Sequence, residues 1–439
     1  MSLLHESSSE TVDSGLDLFT IPPTQTSVEH GMYVEYYPLA SLSPSSNIEF
    51  NINQKGAGEY VDLSNTYLYV RAKVTETKDN KVLADNAPVG PVNNWLHSNF
   101  SQVDVSFNNV LVTPSENTYP YRAYFENTLN YGKDAKNSQL SAEMYYKDIA
   151  HHFEEVTGAI TTGMKNRLDR TAKSKEVDMI GRLHVDVMNM SKYVLSGVDI
   201  KIRLIRSKDD FNLMADPPEG TTYKTTLSHV SLFVRKCKLN PVVMLAHEKA
   251  LENNTAKYPL KRVTVKTFSV PTGNLSATQD NLFISQLPTR LIVSLVDSDA
   301  FNGTYKKNPF NFKHHNLSYI AVFVDGVQTP QKALTPDFKN RLYARSYHRL
   351  FTELGLGNKN EGNDIRYVDF DGGYCIFVFD LSPSILDGDQ VELVKSGTLR
   401  LELKFSDPLK EPVHVLVYAE MDSLIEITKG REVITDYIG

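Results

Sequence analysis

The segment Asn99–Pro114 reads NFSQVDVSFNNVLVTP, and Asn316–Pro330 reads NLSYIAVFVDGVQTP. Laid over each other, Asn99 falls on Asn316, Val103 on Ile320, Val105 on Val322, Phe107 on Val324, Asn109 on Gly326 and Val110 on Val327. All six pairs share one offset, and a single-residue gap then brings Thr113-Pro114 onto Thr329-Pro330. Val103, Val105 and Phe107, like Ile320, Val322 and Val324, recur with the period of a strand that turns one face to a core. Asn108-Asn109 and Asp325-Gly326 tolerate positive φ, as the two central residues of a tight hairpin must. One hairpin is a weak signal. The same hairpin with the same flanks, twice, indicates a duplication.

The flanks repeat outward from the hairpin. Thr118, Tyr119 and Pro120 lead into YRAYFENTLNYG, and Thr335-Pro336 leads into DFKNRLYARSYHRLFTELG. Thr as N-cap, Pro near the first turn and Gly past the end predict a helix in both copies. The apolar faces run through Tyr121, Tyr124, Phe125 and Leu129, and through Phe338, Leu342, Tyr347, Phe351 and Leu354. Leu63–Val74 and Leu287–Val296 predict matching strands before the hairpins. After the helices, Leu183–Val187 matches Ile376–Phe379. Ser196-Gly197 and Ser396-Gly397 each introduce an alternating strand, and His229–Val234 matches His414–Ala419. Tyr33–Leu39 and Ile48–Ile52 also alternate as strands do. Gln54–Glu59 and Asp387–Asp389 predict turns. Lys136–Lys175 is polar, has no counterpart, and predicts an irregular loop.

Each copy thus holds about eight strand candidates bounded by Gly, Pro, Asn and Ser, the pattern of a β-sandwich. Eight strands in two sheets make a jelly roll. The expected architecture is all-β: two tandem eight-stranded jelly-roll β-sandwiches, a double jelly roll, with short helices in loops and between the domains. The expected boundaries are an N-terminal arm at 1–31, a first jelly roll at 32–239, a linking helix at 240–257, a second jelly roll at 258–428 and a tail at 429–439. Asn240-Pro241 supplies the N-cap and first-turn proline of the linking helix, expected over Val242–Leu251.

Composition narrows the function. The 439 residues are 41% hydrophobic, ordinary for a globular protein. No apolar run approaches the ~20 residues of a spanning helix. The start, MSLLHESSSETVDSG, lacks a basic n-region and an apolar h-region, so the expectation is a protein that is not secreted and folds in cytoplasm or nucleus. Cys237 and Cys375 are too few for a disulfide framework and read as buried thiols. Sequons at Asn99, Asn189, Asn253, Asn274, Asn302 and Asn316 read as chance or turn chemistry. The net charge of −7 argues against nucleic-acid binding spread over the surface. Lys165, Arg167, Arg170, Lys173 and Lys175 form the one basic cluster, which reads as a solvated loop or as a contact to a neighbouring subunit. The arm carries one apolar knot, Leu16, Leu18, Phe19 and Ile21, followed by Pro22-Pro23. It is too small to fold alone and suits docking on its own domain or a neighbour.

No residue pattern in the chain matches a catalytic or metal-binding motif, so neither catalytic residues, a cofactor nor a metal is expected. His151-His152 with Glu154-Glu155 lacks zinc-type spacing and reads as a surface loop, as does His314-His315. Asp369, Asp371 and Gly372 match only part of a calcium loop and read as a turn. His229 and His414 occupy equivalent strand positions, which suggests packing. The absence of a His-X-His element with a later Glu and His speaks against a two-domain cupin.

An arm, a jelly roll, a linking helix and a second jelly roll resemble the double jelly-roll major capsid proteins of double-stranded DNA viruses. LDLFTIPPTQTSVEHG (Leu16–Gly31), EYVDLSNTYLYVRAKV (Glu59–Val74) and NFSQVDVSFNN (Asn99–Asn109) look closer still to the capsid proteins of Polinton/Maverick elements and the related adintoviruses. The resemblance covers most of the chain; the chain is short for the broader class, so long towers between strands should be small or absent. It implies a structural protein of the virion capsid, made and assembled in the host cytoplasm or nucleus. It further implies a homotrimer with a pseudo-hexagonal outline that paves an icosahedral shell, beside a single jelly-roll vertex protein, with no specific nucleic-acid recognition and no membrane span. Candidate contacts between subunits are Leu16, Leu18, Phe19, Ile21, Pro22 and Pro23 of the arm, the linker, and Lys165, Arg167 and Arg170. The alternative is a tandem β-sandwich carbohydrate-binding or adhesion protein, which should be secreted. An enzyme on tandem jelly rolls, such as an amidase, would need a carboxylate cluster between the domains. A vertex protein would have one jelly roll rather than two.

Overall fold

A computed structural model describes residues 5–43, 47–53, 58–158, 160–283, 286–383, 391 and 393–435. The chain forms the expected double jelly roll. In the first unit the strands are β1 (Val28–Tyr36), β2 (Ile48–Ile52), β3 (Glu59–Glu76), β4 (Phe100–Phe107), β5 (Val110–Leu111), β6 (Val177–Arg182), β7 (Ile200–Arg206) and β8 (Tyr223–Leu239). They pair in the orders β1-β8-β3-β6 and β2-β7-β4-β5. In the second unit β9 (Ala256–Val270), β10 (Ser276–Gln279), β11 (Arg290–Asp297), β12 (Leu317–Val324), β13 (Val327–Leu334), β14 (Ile376–Asp380), β15 (Leu399–Phe405) and β16 (Val413–Ile427) repeat both orders as β9-β16-β11-β14 and β10-β15-β12-β13. A short β17 (Val433–Thr435) pairs with β16, so the expected tail contributes a strand.

The repeated hairpins are the two β4–β5 and β12–β13 turns. Asn108 and Asn109 have φ of 47° and 67°, and Asp325 and Gly326 have 49° and 80°. All four are positive, the condition for a turn whose twist matches its strands. Each turn is fastened to its neighbour strand in the same way. Asn108 N–H donates to the Asp199 carbonyl while its Oδ1 accepts from Asp199 N–H; Asp325 does the same with Thr398.

Helix α1 (Tyr119–Asn130) follows the first hairpin with Thr118 at its N-cap, as predicted. The second copy differs. Helix α4 (Ala344–Thr352) starts well after Thr335-Pro336. Asp337 bonds Asn340 N–H and bridges to Leu342, and Arg341 sits at φ 57°, so a local turn replaces the first helical turns. Leu342 consequently lies exposed rather than on the helix face. The linking helix α3 (Pro241–Ala250) is capped by Asn240 Oδ1, which accepts from Val242 N–H at 2.9 Å.

Three further expectations are corrected. The strand expected at Leu183–Val187 lies upstream, at β6. Lys136–Lys175 is not an irregular loop: it holds α2 (Thr162–Thr171) and the short helix Gln139–Glu143. Strand β1 begins at Val28, inside the expected arm. Of the two expected turns, residues 54–57 and Asp387–Asp389 lie outside the described residues.

Each sandwich has its own core, the first around Phe50, Trp95 and Phe107, the second around Phe377, Phe379 and Phe405. A third core joins the units. Tyr121, Tyr124 and Phe125 of α1, with Phe153 and Met164, pack on Ile292, Val296, Val378, Leu416 and Tyr418, the outer face of the β9-β16-β11-β14 sheet. Tyr124 stacks on Phe310 at 4.3 Å and Phe125 on Phe312 at 5.1 Å. Burial of each such side chain contributes roughly 2–3 kcal/mol, so the two units form one continuous body. Leu291–Val296, apolar except for Ser294, is buried on both strand faces because it is covered on both.

Candidate functional site

The duplication makes two pairs of equivalent surfaces, and within one chain only one of each pair is covered. In the second unit the row Ile376–Ser294–Leu416 crosses the outer sheet and is buried beneath α1. The same row in the first unit is Ile180–Tyr69–Ser231. Ser231 is hidden among its neighbours, but no counterpart of α1 seals the rest of the row among the described residues. Ile180 is 40% exposed, and Tyr33 and Tyr37 beside it are 51% and 60% exposed. Half-buried Tyr67, Tyr69, Phe233 and His229 continue the patch, with Tyr69 against Phe233 at 6.2 Å and His229 at 5.5 Å.

The helices show the converse. Ten residues of α1 are buried, from Tyr119 to Leu129, because the helix is packed between its own unit and the second. In α4 only Ser346 and Leu350 are buried, and exposed Leu342 and Val368 flank it. One chain therefore ends in a bare sheet face on its first unit and a bare helix on its second. These are the two halves of the contact it already makes inside itself.

That internal contact includes polar groups on an edge strand. Glu116 Oε2 accepts from Val265 N–H at 2.8 Å, Thr118 Oγ1 donates to the Val265 carbonyl at 3.2 Å, and Asp186 Oδ1 accepts from Val263 N–H at 3.1 Å. All three first-unit side chains satisfy the backbone of β9, an edge strand of its sheet. Strand β1 is the matching edge on the first unit.

The predicted contact residues divide. Leu16, Leu18, Phe19 and Ile21 are exposed, Phe19 by 96%, and Pro22 and Pro23 are exposed with them. Lys165 is exposed on α2, and Arg170 is half-buried and donates to Tyr146 Oη at 3.1 Å. Arg167 is not at the surface. It is fully buried, pairs with buried Asp148 at 2.6 Å, and donates to the carbonyls of Pro91 and Tyr146. A basic residue three positions from apolar Met164 looked solvated because its carboxylate partner is 19 residues away.

Cys237 and Cys375 are buried, and burial raises both thiols above the ordinary range. His152 pairs with Glu155 at 2.7 Å on the surface. His314 and His315 are half-buried, not a surface loop: His314 stacks on Phe338 at 4.1 Å and His315 faces Asp297 at 3.3 Å. Burial lowers His314 to about 4. Asp369 is buried and bonds Lys147 of the first unit at 2.9 Å, a strut between units. His229 and His414 both make ring contacts, His414 stacking on Phe301 at 4.2 Å.

One cluster has no trace in the sequence motifs. His97 Nε2 lies 3.1 Å from Glu143 Oε2, and His184 Nδ1 lies 2.6 Å from Glu126 Oε2. The two imidazoles meet edge to face at 4.6 Å, and both histidines and Glu143 are buried. Their separations of tens of residues match no local spacing rule, so only the fold reveals them.

No family model matches the sequence. An uncharacterized protein of Caenorhabditis elegans is 27% identical over 428 residues, covering 95% of this chain and all of that one. A chain of the Sputnik virophage superposes with a TM-score of 0.65 at 11% identity, covering 99% of this chain and 94% of the other. The fold is that of viral double jelly-roll capsid proteins. The Faustovirus major capsid protein gives a TM-score of 0.57 at 9% identity (95% and 92% covered), and the mavirus major capsid protein gives 0.51 at 11% (99% and 97% covered). Among the described residues no helix is long and apolar enough to cross a membrane.

Proposed function

We propose that this chain is a structural, non-catalytic capsid protein whose three copies close into a ring of six jelly rolls. The observation that carries the reading is the unmatched pair of surfaces. A contact between unlike faces, repeated head to tail, generates a ring when its rotation closes. Each chain supplies two units, so a near-sixfold ring takes three chains. The α4 side of one copy then covers the Tyr33–Tyr69–Ile180 face of the next, as α1 covers the second unit within the chain. Such near-hexagonal tiles pave a closed shell, with a single jelly-roll protein at its vertices. The sequence resemblance to Polinton/Maverick and adintovirus capsid proteins supports a double-stranded DNA virus or virus-like transposon as the source, and the virion as the location.

The test is Tyr69→Glu, which places a charge in the bare face without touching either sandwich core. The expected result is a folded monomer: circular dichroism unchanged and trimers lost, because burying a carboxylate beside Arg71 in place of an aromatic ring costs several kcal/mol. Trimers that persist in this variant, or a wild-type protein that is already monomeric, would overturn the reading.

A further inference from the structure

We propose that His97, Glu143 and His184 form a binding site for a divalent transition-metal ion of the zinc class, beneath the junction of the two units. One ring nitrogen of each histidine and one carboxylate oxygen of Glu143 lie within 4.8 Å of one another. Two imidazoles and a carboxylate are a donor set that suits zinc. Ligands held at about 2 Å around a tetrahedral ion stand roughly 3.3 Å apart, and His97 Nε2 and Glu143 Oε2 are already 3.1 Å apart.

Each candidate ligand is held by an outer partner. Tyr119 Oη lies 2.9 Å from His97 Nδ1, Asn127 Nδ2 donates to Glu143 Oε2 at 2.8 Å, and Glu126 stands against His184. Such partners fix ring orientation and raise ligand basicity. The ligands come from separate parts of the chain: the short helix Trp95–Ser98, the short helix Gln139–Glu143, and the segment after β6. An ion there would close two long loops at once and stabilise the native state. A cavity of about 570 Å³ reaches Glu126, Glu143 and His184 and is lined on its far side by Tyr418 and Glu420 of the second unit. It gives the ion a way in and room for a water as fourth ligand.

The competing account is a set of imidazole–carboxylate pairs that needs no ion. The two separate cleanly in the full-length protein, stripped with chelator and then offered Zn²⁺ or Co²⁺. After desalting, elemental analysis should find about one zinc per chain, the Co²⁺ form should absorb in the visible as four-coordinate cobalt does, and zinc should raise the melting temperature by several degrees. His97→Gln and Glu143→Gln should each retain the fold by circular dichroism and lose the bound metal and the melting shift. Stripped wild type that takes up no metal, shows no cobalt spectrum and melts identically with and without zinc would overturn the site. So would variants that bind zinc as wild type does. Oligomeric mass is not among these readouts, so failure here leaves the assembly reading untouched.

Discussion

Arg167 shows what a residue means once its surroundings are known. A charged group buried with one partner adds little net stability, but removing either member strands the other. Arg167→Met should therefore destabilise the chain by about 3–5 kcal/mol in denaturant unfolding, and adding Asp148→Asn should restore part of the loss. An unchanged midpoint in the single variant would refute the pairing. Glu116 is the second telling residue. Burial, partly offset by the Val265 N–H bond, pushes its carboxyl up from 4.5 to about 7. A carboxyl raised on folding stabilises the native state fully below its unfolded value and loses that contribution as pH rises through its folded one. Glu116→Gln stays neutral and keeps an acceptor for Val265. Its stability advantage over wild type should grow between pH 5 and pH 8, on the order of 1 kcal/mol. An advantage that does not change with pH would contradict this. Neither residue was legible beforehand, because burial of a charge depends on partners that sequence spacing does not show.

At the scale of elements, legibility followed how local the cause was. The hairpins, α1 and α3 were readable since period, positive-φ turns and caps are encoded within a few residues of each element. The start of α4 was not, because Asp337 and Arg341 build a competing turn inside the helical pattern. Helix α2 was missed because its inward face joins Met164 to Arg167 and Thr171, a stripe with little apolar signal. The arm was readable as an element without a core, and Leu16, Leu18, Phe19 and Ile21 touch nothing that hides them. Since β1 starts at Val28 and Ser27 bonds Asn240 N–H, deletion of residues 1–24 should spare the fold. The truncated protein should still form trimers but assemble into shells poorly by electron microscopy. Shells formed as readily as by the full chain would remove the arm from assembly.

For the whole molecule, the repeated order of elements fixed the fold class, because duplication doubles every weak signal. The surface between the units was half legible. Leu287–Val296 was readable as a strand, but that both of its faces are covered becomes visible only when α1 is seen against it. The unmatched copies of that contact, the aromatic face of the first unit and the bare α4, are the basis for the proposed ring closure. The most direct measurement is the mass of the purified full-length protein by light scattering across a concentration series. The account predicts a species of three times the 49.5 kDa chain, alone or with larger closed particles. A monomer that persists at the highest concentration would contradict it.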